Sequence, residues 1–310
     1  MPDKIDHNSP YGDFVLPFDL PKLGVRGRLV RLDTASGRAL SAHALPEAAA
    51  RVTGEMVALG AILGSALKLD GRLTIQTKGD GPLDLITTDY YGVEADKARG
   101  VRGFARLDAA RFAELQNITF ADLAGKGALA ITIEPKRGGK TYQGIVELAE
   151  EGIAASAETY FSQSEQLPTA IRLAAAPLYL PGDPAPHWRA GGMMLQMTPG
   201  EATRESEDGE LSDDWERLSL ILGTVEDLEL VDTMLAPETL LWRLFHEDEV
   251  RVHPPEPVAF RCDCDTDRIA GVLKSYSEKD RAGLADPDGI IRAKCEFCGT
   301  VHEIGREALS

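Results

Sequence analysis

Ala128-Leu-Ala-Ile-Thr-Ile-Glu134 carries a strand signal, Lys136-Arg-Gly-Gly-Lys140 interrupts, and Thr141-Tyr-Gln-Gly-Ile-Val-Glu-Leu148 resumes a strand-like run. Two such runs with Gly138-Gly139 between them read as a β-hairpin. A hairpin pairs its strands antiparallel, which sets this chain apart from a repeating βαβ series. Upstream, Val25-Arg-Gly-Arg-Leu-Val-Arg-Leu32 alternates as a half-buried strand does. Pro46 opens a helical pattern running to about residue 67, with Val52, Met56, Leu59, Ile62 and Leu63 as apolar positions and Gly60 and Gly64 thinning one face. Strand signals recur at 73–77, 83–88 and 101–107, and a helical pattern at 153–161. The predicted fold class is α+β: a layered N-terminal domain of largely antiparallel sheets and packed helices, then a helical linker, then a small C-terminal domain whose Cys262, Cys264, Cys295 and Cys298 have zinc-binding spacing.

Downstream the texture changes. Leu180-Pro-Gly-Asp-Pro-Ala-Pro186 forbids regular structure and reads as a boundary. Ala190-Gly-Gly-Met-Met-Leu-Gln-Met197 reads as a strand returning to the first domain, and 199–209 as a polar, acidic, mobile stretch. Asp213 and Glu216 have capping-box spacing, followed by an apolar stripe of Trp215, Leu218, Leu222 and Val225. Pro237 fits the first position of a second helix carrying Leu240, Leu241, Leu244 and Phe245. His253-Pro-Pro-Glu-Pro257 closes the linker. The expected division is 1–198 for the α+β core, 199–256 for an acidic, metastable helical linker and 257–310 for a cysteine module.

With 310 residues and 43% apolar content, about two domains with a sizeable core are expected. The net charge of −17 argues against nucleic acid as a partner. Residues 201–250 carry 16 Asp/Glu against three Arg and no Lys, most of that excess. No run of about 18 apolar residues predicts a membrane span. The first residues lack the layout of a secretory signal, so a cytoplasmic location is expected.

The chain has four cysteines, Cys262, Cys264, Cys295 and Cys298, in a C-x-C and a C-x-x-C pattern. Two close thiol pairs joined by a long loop suit one tetrahedral Zn²⁺ held through four sulfurs. In a reducing cytosol, clustered thiols serve as metal ligands or redox sensors more often than as permanent disulfides. An iron–sulfur cluster is a rival that the C-x-C spacing disfavours, and a purely structural zinc knob is the bland reading. Arg261, Arg268, Arg292 and Lys294 lie close in sequence to offset the −2 of four thiolates plus zinc. Four thiols allow three disulfide pairings. Pairing neighbours, Cys262–Cys264 and Cys295–Cys298, would abolish the long-range tie that zinc makes, whereas cross-gap pairing would keep it. If the linker helices lean on the cysteine module, metal loss would melt them and expose their apolar stripes. A thiol-disulfide oxidoreductase using Cys295-Glu-Phe-Cys298 is the runner-up, weakened by the lack of a thioredoxin-like βαβ setting. A zinc-finger regulator is disfavoured by the acidic balance.

Other residues invite functional readings that bland ones outweigh. Gly79-Asp80-Gly81 and Gly125-Lys126-Gly127 lack the phosphate-loop form, and strand turns explain them. No G-x-S-x-G frames Ser162, Ser164 and Glu165. His43, His187, His246 and His253 show no metal-ligand spacing, and Met193, Met194 and Met197 read as buried strand residues before they read as a pliable binding surface.

The chain resembles the 33 kDa chaperonin (HslO) family of bacterial redox-regulated heat-shock holdases over nearly its whole length. The resemblance rests on Val25-Arg-Gly-Arg-Leu-Val-Arg-Leu32, Leu67-Lys-Leu-Asp-Gly-Arg-Leu-Thr-Ile-Gln76, Gly79-Asp-Gly-Pro-Leu83 and Gly127-Ala-Leu-Ala-Ile-Thr-Ile133. It extends through Tyr142-Gln-Gly-Ile-Val146, Tyr160-Phe-Ser-Gln-Ser-Glu-Gln-Leu-Pro-Thr169, Gly191-Gly192, Leu244-Phe-His-Glu247 and the cysteine pairs. It implies a binding protein rather than an enzyme. One zinc per chain would be held by Cys262, Cys264, Cys295 and Cys298 in a reduced, inactive monomer. Oxidation by peroxide or hypochlorite, with disulfides Cys262–Cys264 and Cys295–Cys298, would release zinc and unfold the linker. The active form would be a homodimer that holds unfolding client proteins without ATP and passes them to ATP-dependent foldases. His302 stands where the family often has tyrosine, and is read as a surface residue ahead of a fifth ligand; 204–212 also departs from the pattern.

Overall fold

A computed structural model describes residues 12–67, 69–94, 97–136, 139–179, 181–199 and 213–309. The expectations for 200–212 and for the turn residue Gly138 lie outside the described residues. The strands are β1 (Phe14–Leu20), β2 (Val25–Leu32), β3 (Gly71–Gly79), β4 (Leu85–Tyr91), β5 (Gly100–Arg106), β6 (Gly127–Pro135), β7 (Tyr142–Glu147), β8 (Thr169–Leu178) and β9 (His187–Met197). The short strands β10 (Arg251–Val252), β11 (Glu256–Pro257) and β12 (Ala259–Phe260) precede β13 (Ile291–Lys294) and β14 (Val301–Ile304). The helices are α1 (Thr34–Ser41), α2 (Glu47–Ala66), α3 (Ala109–Ala113), α4 (Phe120–Ala124), α5 (Ile153–Tyr160), α6 (Asp213–Gly223), α7 (Asp227–Val231), α8 (Pro237–Phe245), α9 (Thr266–Lys274) and α10 (Glu278–Leu284).

One sheet runs β10-β1-β2-β9-β8, with β11 also on β1; the second runs β12-β5-β4-β3-β6-β7. Every pairing in them is antiparallel except β12 on β5, so the sheets are antiparallel and mixed. The hairpin expected at 128–148 is β6–β7, with Ala128 opposite Glu147 and Ile133 opposite Tyr142. The prolines near 180–186 mark no domain boundary: they fill the connection between β8 and β9, which pair directly from Thr169↔Gln196 to Leu178↔His187.

Helix α2 lies between the two sheets, against β8 and β9 on one side and β4 and β5 on the other. Its residues from Val52 to Leu63 are almost all buried, because a helix between two sheets must be apolar nearly all round. Gly60 and Gly64 face β4, where a methyl group would meet Thr88 or the Tyr90 ring.

The other face of the first sheet carries α6, α7 and α8. Alternate residues of β1, Phe14, Leu16, Phe18 and Leu20, point to this face and Val15 points towards α2. Trp215, Leu218, Leu222, Leu230, Leu240, Leu241 and Phe245 complete a second apolar core with them. The expected linker stripe is therefore packed on the first sheet. Pro237 holds the first position of α8 as expected, whereas Asp213 lies inside the first turn of α6 instead of capping it. Helix α7 was illegible in the sequence: a five-residue turn carries too little periodicity. It begins with a capping box of Glu226 and Glu229.

The chain divides into two compact units between Phe260 and Arg261. The described part of 199–256 belongs to the first unit, because its helices complete that unit's second core. The second unit holds α9, α10 and the β13–β14 hairpin. Among the described residues, no helix is long and apolar enough to cross a membrane.

Candidate metal centre

Cys262 and Cys264 sit on the stretch between β12 and α9. Asp265 ends it: its carboxylate accepts the Arg268 backbone N–H at 2.7 Å and caps α9. Cys295 and Cys298 belong to the turn after β13. Cys295 donates its N–H to the Thr300 carbonyl at 2.8 Å, and the Gly299 N–H returns to the Cys295 carbonyl at 2.9 Å. Gly299 supplies the left-handed φ of 71° that this turn requires.

The four sulfurs lie within 4.8 Å of one another. Cys262 Sγ is 3.7 Å from Cys295 Sγ, and Cys264 Sγ is 3.4 Å from Cys298 Sγ. Sulfurs about 2.3 Å from a central zinc in tetrahedral array would stand roughly 3.8 Å apart, so the donor set fits. These distances exceed a disulfide bond of about 2.05 Å, so the four cysteines are in the thiol form rather than in disulfides.

The thiols differ in acidity. Burial pushes Cys264 up, and contacts with Cys298 and Cys262 add to it. Burial also raises Cys298, but hydrogen bonds to the Thr300 hydroxyl, 3.2 Å away, to the Thr300 backbone, and to Cys264 and Cys295 together bring it down to about 6. Thr300 is the functional neighbour that sequence reading missed. Its signal was Gly299, which marks a turn folding the following residue back on Cys298.

The rest of the second unit explains why the thiols matter. Its apolar core comprises Ala270, Leu273, Ile291 and Ile304, with a few partly buried neighbours. That is too little to secure a fold of its own. His302 is neither a surface residue nor a member of the thiol cluster: it is buried on β14, with Nδ1 3.2 Å from Thr266 Oγ1, and so staples α9 to the hairpin. Two of the four expected offsetting charges are met by carboxylates. Arg292 is met by Asp286, Asp288 and Glu303 at 2.5, 2.7 and 3.0 Å, and Arg261 by Asp263 at 3.0 Å. Cys295 and Cys298 form half of a four-thiol cluster on a β-hairpin turn, with no βαβ setting for an oxidoreductase pair.

The remaining candidates resolve structurally. The two glycine-rich motifs hold each other: the Lys126 N–H donates to Asp80 Oδ1 at 2.8 Å and the Gly81 N–H to the Ala124 carbonyl at 2.9 Å. Glu165 accepts from Tyr160 at 3.2 Å, on the turn that carries Ser162 and Ser164. His187 pairs with Asp33 at 2.7 Å, His253 with Asp19, His246 lies beside Trp242, and His43 beside Phe104. Met193, Met194 and Met197 are buried in β9.

An α+β core with helices docked on one sheet, joined to a small four-thiol module, defines a two-unit protein whose second unit is organised around sulfur. The chain belongs to the Hsp33 family: the family model described as Hsp33 protein matches residues 13–305. It is 38% identical over 308 residues to the 33 kDa chaperonin of Caulobacter vibrioides (strain NA1000 / CB15N), covering 98% of each chain. It is 36% identical over 292 residues to that of Azotobacter vinelandii, covering 94% of this chain and 91% of the relative. The crystal structure of the 33 kDa chaperonin from Thermotoga maritima superposes with a TM-score of 0.75 over 96% of both chains at 19% identity, which speaks to the fold. The family supports a chaperone role.

Proposed function

We propose that this chain is an ATP-independent holdase of the cytoplasm, a binding protein rather than an enzyme, gated by its four thiols. The observation that carries the reading is the convergence of Cys262, Cys264, Cys295 and Cys298 within 4.8 Å in a unit with almost no apolar core. One zinc held there would fix all four sulfurs as thiolates and supply on the order of 10–16 kcal/mol of folding energy to a module of this kind.

Oxidation removes the ligand set. Two thiols and one hydrogen peroxide give one disulfide and two waters, so two equivalents consume all four thiols. Neighbour pairing, Cys262–Cys264 with Cys295–Cys298, leaves no tie across the gap and the module unfolds. The acidic segment 199–256 is the metastable linker. Loss of the module beyond Phe260 loosens it, and Trp215, Leu218, Leu222, Leu241, Leu244 and Phe245 then become available to unfolding clients. The active form is a homodimer that passes clients to ATP-dependent foldases, with no nucleic-acid or membrane partner.

Light scattering of a heat-unfolded probe protein tests this. Protection is expected after peroxide treatment and weak in the reduced zinc form; equal protection by both forms would refute the gate. Peptide mapping of the oxidised chain tests the pairing, and peptides cross-linked between 262/264 and 295/298 would overturn it.

A further inference from the structure

Both six-stranded sheets have one edge covered by the same short strap. Residues 251–260 lay β10 and β11 antiparallel along β1, with Phe18↔Val252 and Phe14↔Pro257, then lay β12 parallel along β5, with Ala259↔Gly100. Without the strap, β1 and β5 would be edge strands. An uncovered edge is a template for any extended chain, and proteins cover or blunt such edges.

The strap is built to hold the edge weakly. Pro254, Pro255 and Pro257 have no N–H to give. Beyond the ladder pairs of β10 and β11 themselves, the strap's backbone donates from His253 N–H to the Pro17 carbonyl at 2.9 Å and from Val258 N–H to the Asp13 carbonyl at 3.0 Å. Charge adds register: Asp19 on β1 meets His253 and Arg251, and Glu256 meets Arg99 at 3.5 Å. The strap ends two residues before Cys262.

We propose that the outer edge of β1 is a strand-acceptor site for an extended segment of an unfolding polypeptide, held closed in the resting chain by residues 251–257. The partner is defined by the strap's own chemistry. It is an extended stretch with free backbone N–H groups, alternating apolar side chains that continue the Phe14-Leu16-Phe18 face, and a basic residue opposite Asp19. Strand addition of this kind draws affinity from the main chain and therefore tolerates many sequences, as a holdase requires. The proposal rests on the holdase reading and names a surface for it; opening by thiol oxidation is a separate step.

The test uses the full chain and a fluorescent peptide of seven residues, the length of β1. The peptide alternates Val and Thr and has Arg at one end. A twin carries N-methyl groups on the amides that would face β1. A variant with His253→Pro and Val258→Pro removes the two donors that flank these short ladders and leaves every cysteine reduced. By anisotropy, the strap variant and the oxidised wild type are expected to bind the free-amide peptide about tenfold or more tighter than the reduced wild type, and to bind the twin about tenfold more weakly, since a few backbone hydrogen bonds are at stake. Equal binding of the twin would overturn the edge site in favour of a side-chain surface, and so would failure of both opened forms to bind. Binding by the strap variant but not by the oxidised chain would support the edge and contradict the redox gate. If hydrogen exchange shows β3 and β4 unprotected in the double variant, His253→Pro alone, at an exposed position, replaces it with the same expected outcomes.

Discussion

Arg31, buried on β2, donates from Nη2 to the main-chain carbonyl of Glu229 in α7 at 3.0 Å, and from Nη1 to the carbonyl of Leu235. A cation from the sheet thus holds the backbone of the helical segment at two points. Replacing it removes both bonds and leaves two carbonyls to find water. The change Arg31→Met is expected to weaken docking of α7 and α8 by about 2–4 kcal/mol. Hydrogen exchange in 213–245 should speed up in the reduced zinc form, and basal protection of a heat-unfolded probe should rise.

Gly191 on β9 allows the same docking from the opposite direction. A methyl group there would stand 2.2 Å from the Leu230 carbonyl oxygen, a backbone atom with no flexible side chain to give way. Gly191→Ala is expected to displace α7 while leaving the zinc content at one per chain, as measured by metal analysis of the purified protein. Loss of zinc in this variant would show that the two units are not independently stable.

Glu55 on α2 makes stability depend on pH. Burial chiefly, and then the charge of Asp227, raise its carboxyl to about 7 against the opposing pull of Arg51 and Arg172. The folded chain therefore keeps a proton that the unfolded chain releases near 4.5. The folded state binds more protons across that window, so this group's contribution is full below about pH 4.5 and is lost as pH rises through about 7. The loss is on the order of 3 kcal/mol. Glu55→Gln is expected to flatten the fall between pH 5 and 8 and to raise the urea midpoint at pH 8.

Asp80 links the two glycine-rich motifs through the Lys126 N–H. Asp80→Ala is expected to cost about 0.5–1.5 kcal/mol, the net worth of one hydrogen bond at an exposed position where water can take over the Lys126 N–H, and calorimetry should show no nucleotide binding in either form.

Cys264→Ser is expected to abolish stable zinc binding, because three sulfurs and a hydroxyl form a poorer set for this metal. A chromophoric chelator should then strip zinc without oxidant, and α9 and the β13–β14 hairpin should lose exchange protection together.

The layers and the thiols are legible in the sequence because both follow local rules. Alternation in Val25–Leu32 and the 20-residue run of α2 announce themselves by period, and cysteine spacing announces a metal set. What stayed hidden depends on tertiary partners. Nothing local to Arg31 shows that it serves carbonyls some 200 residues away. The stripe from Trp215 to Leu222 shows that a face must be buried but not against what; the first sheet buries it. His302 looked like a surface residue because four-residue strands such as β14 give too short a pattern to assign a face.

The central claim is that the state of four thiols controls the helices of 213–245. Hydrogen exchange of the full chain, reduced with zinc and then oxidised with zinc removed, tests it most directly. The expected result is loss of protection in α6, α7, α8 and the second unit on oxidation, with β3, β4 and β6 still protected. Protection of α6 to α8 that survives oxidation and zinc loss, in a chain that nonetheless suppresses aggregation, would contradict it.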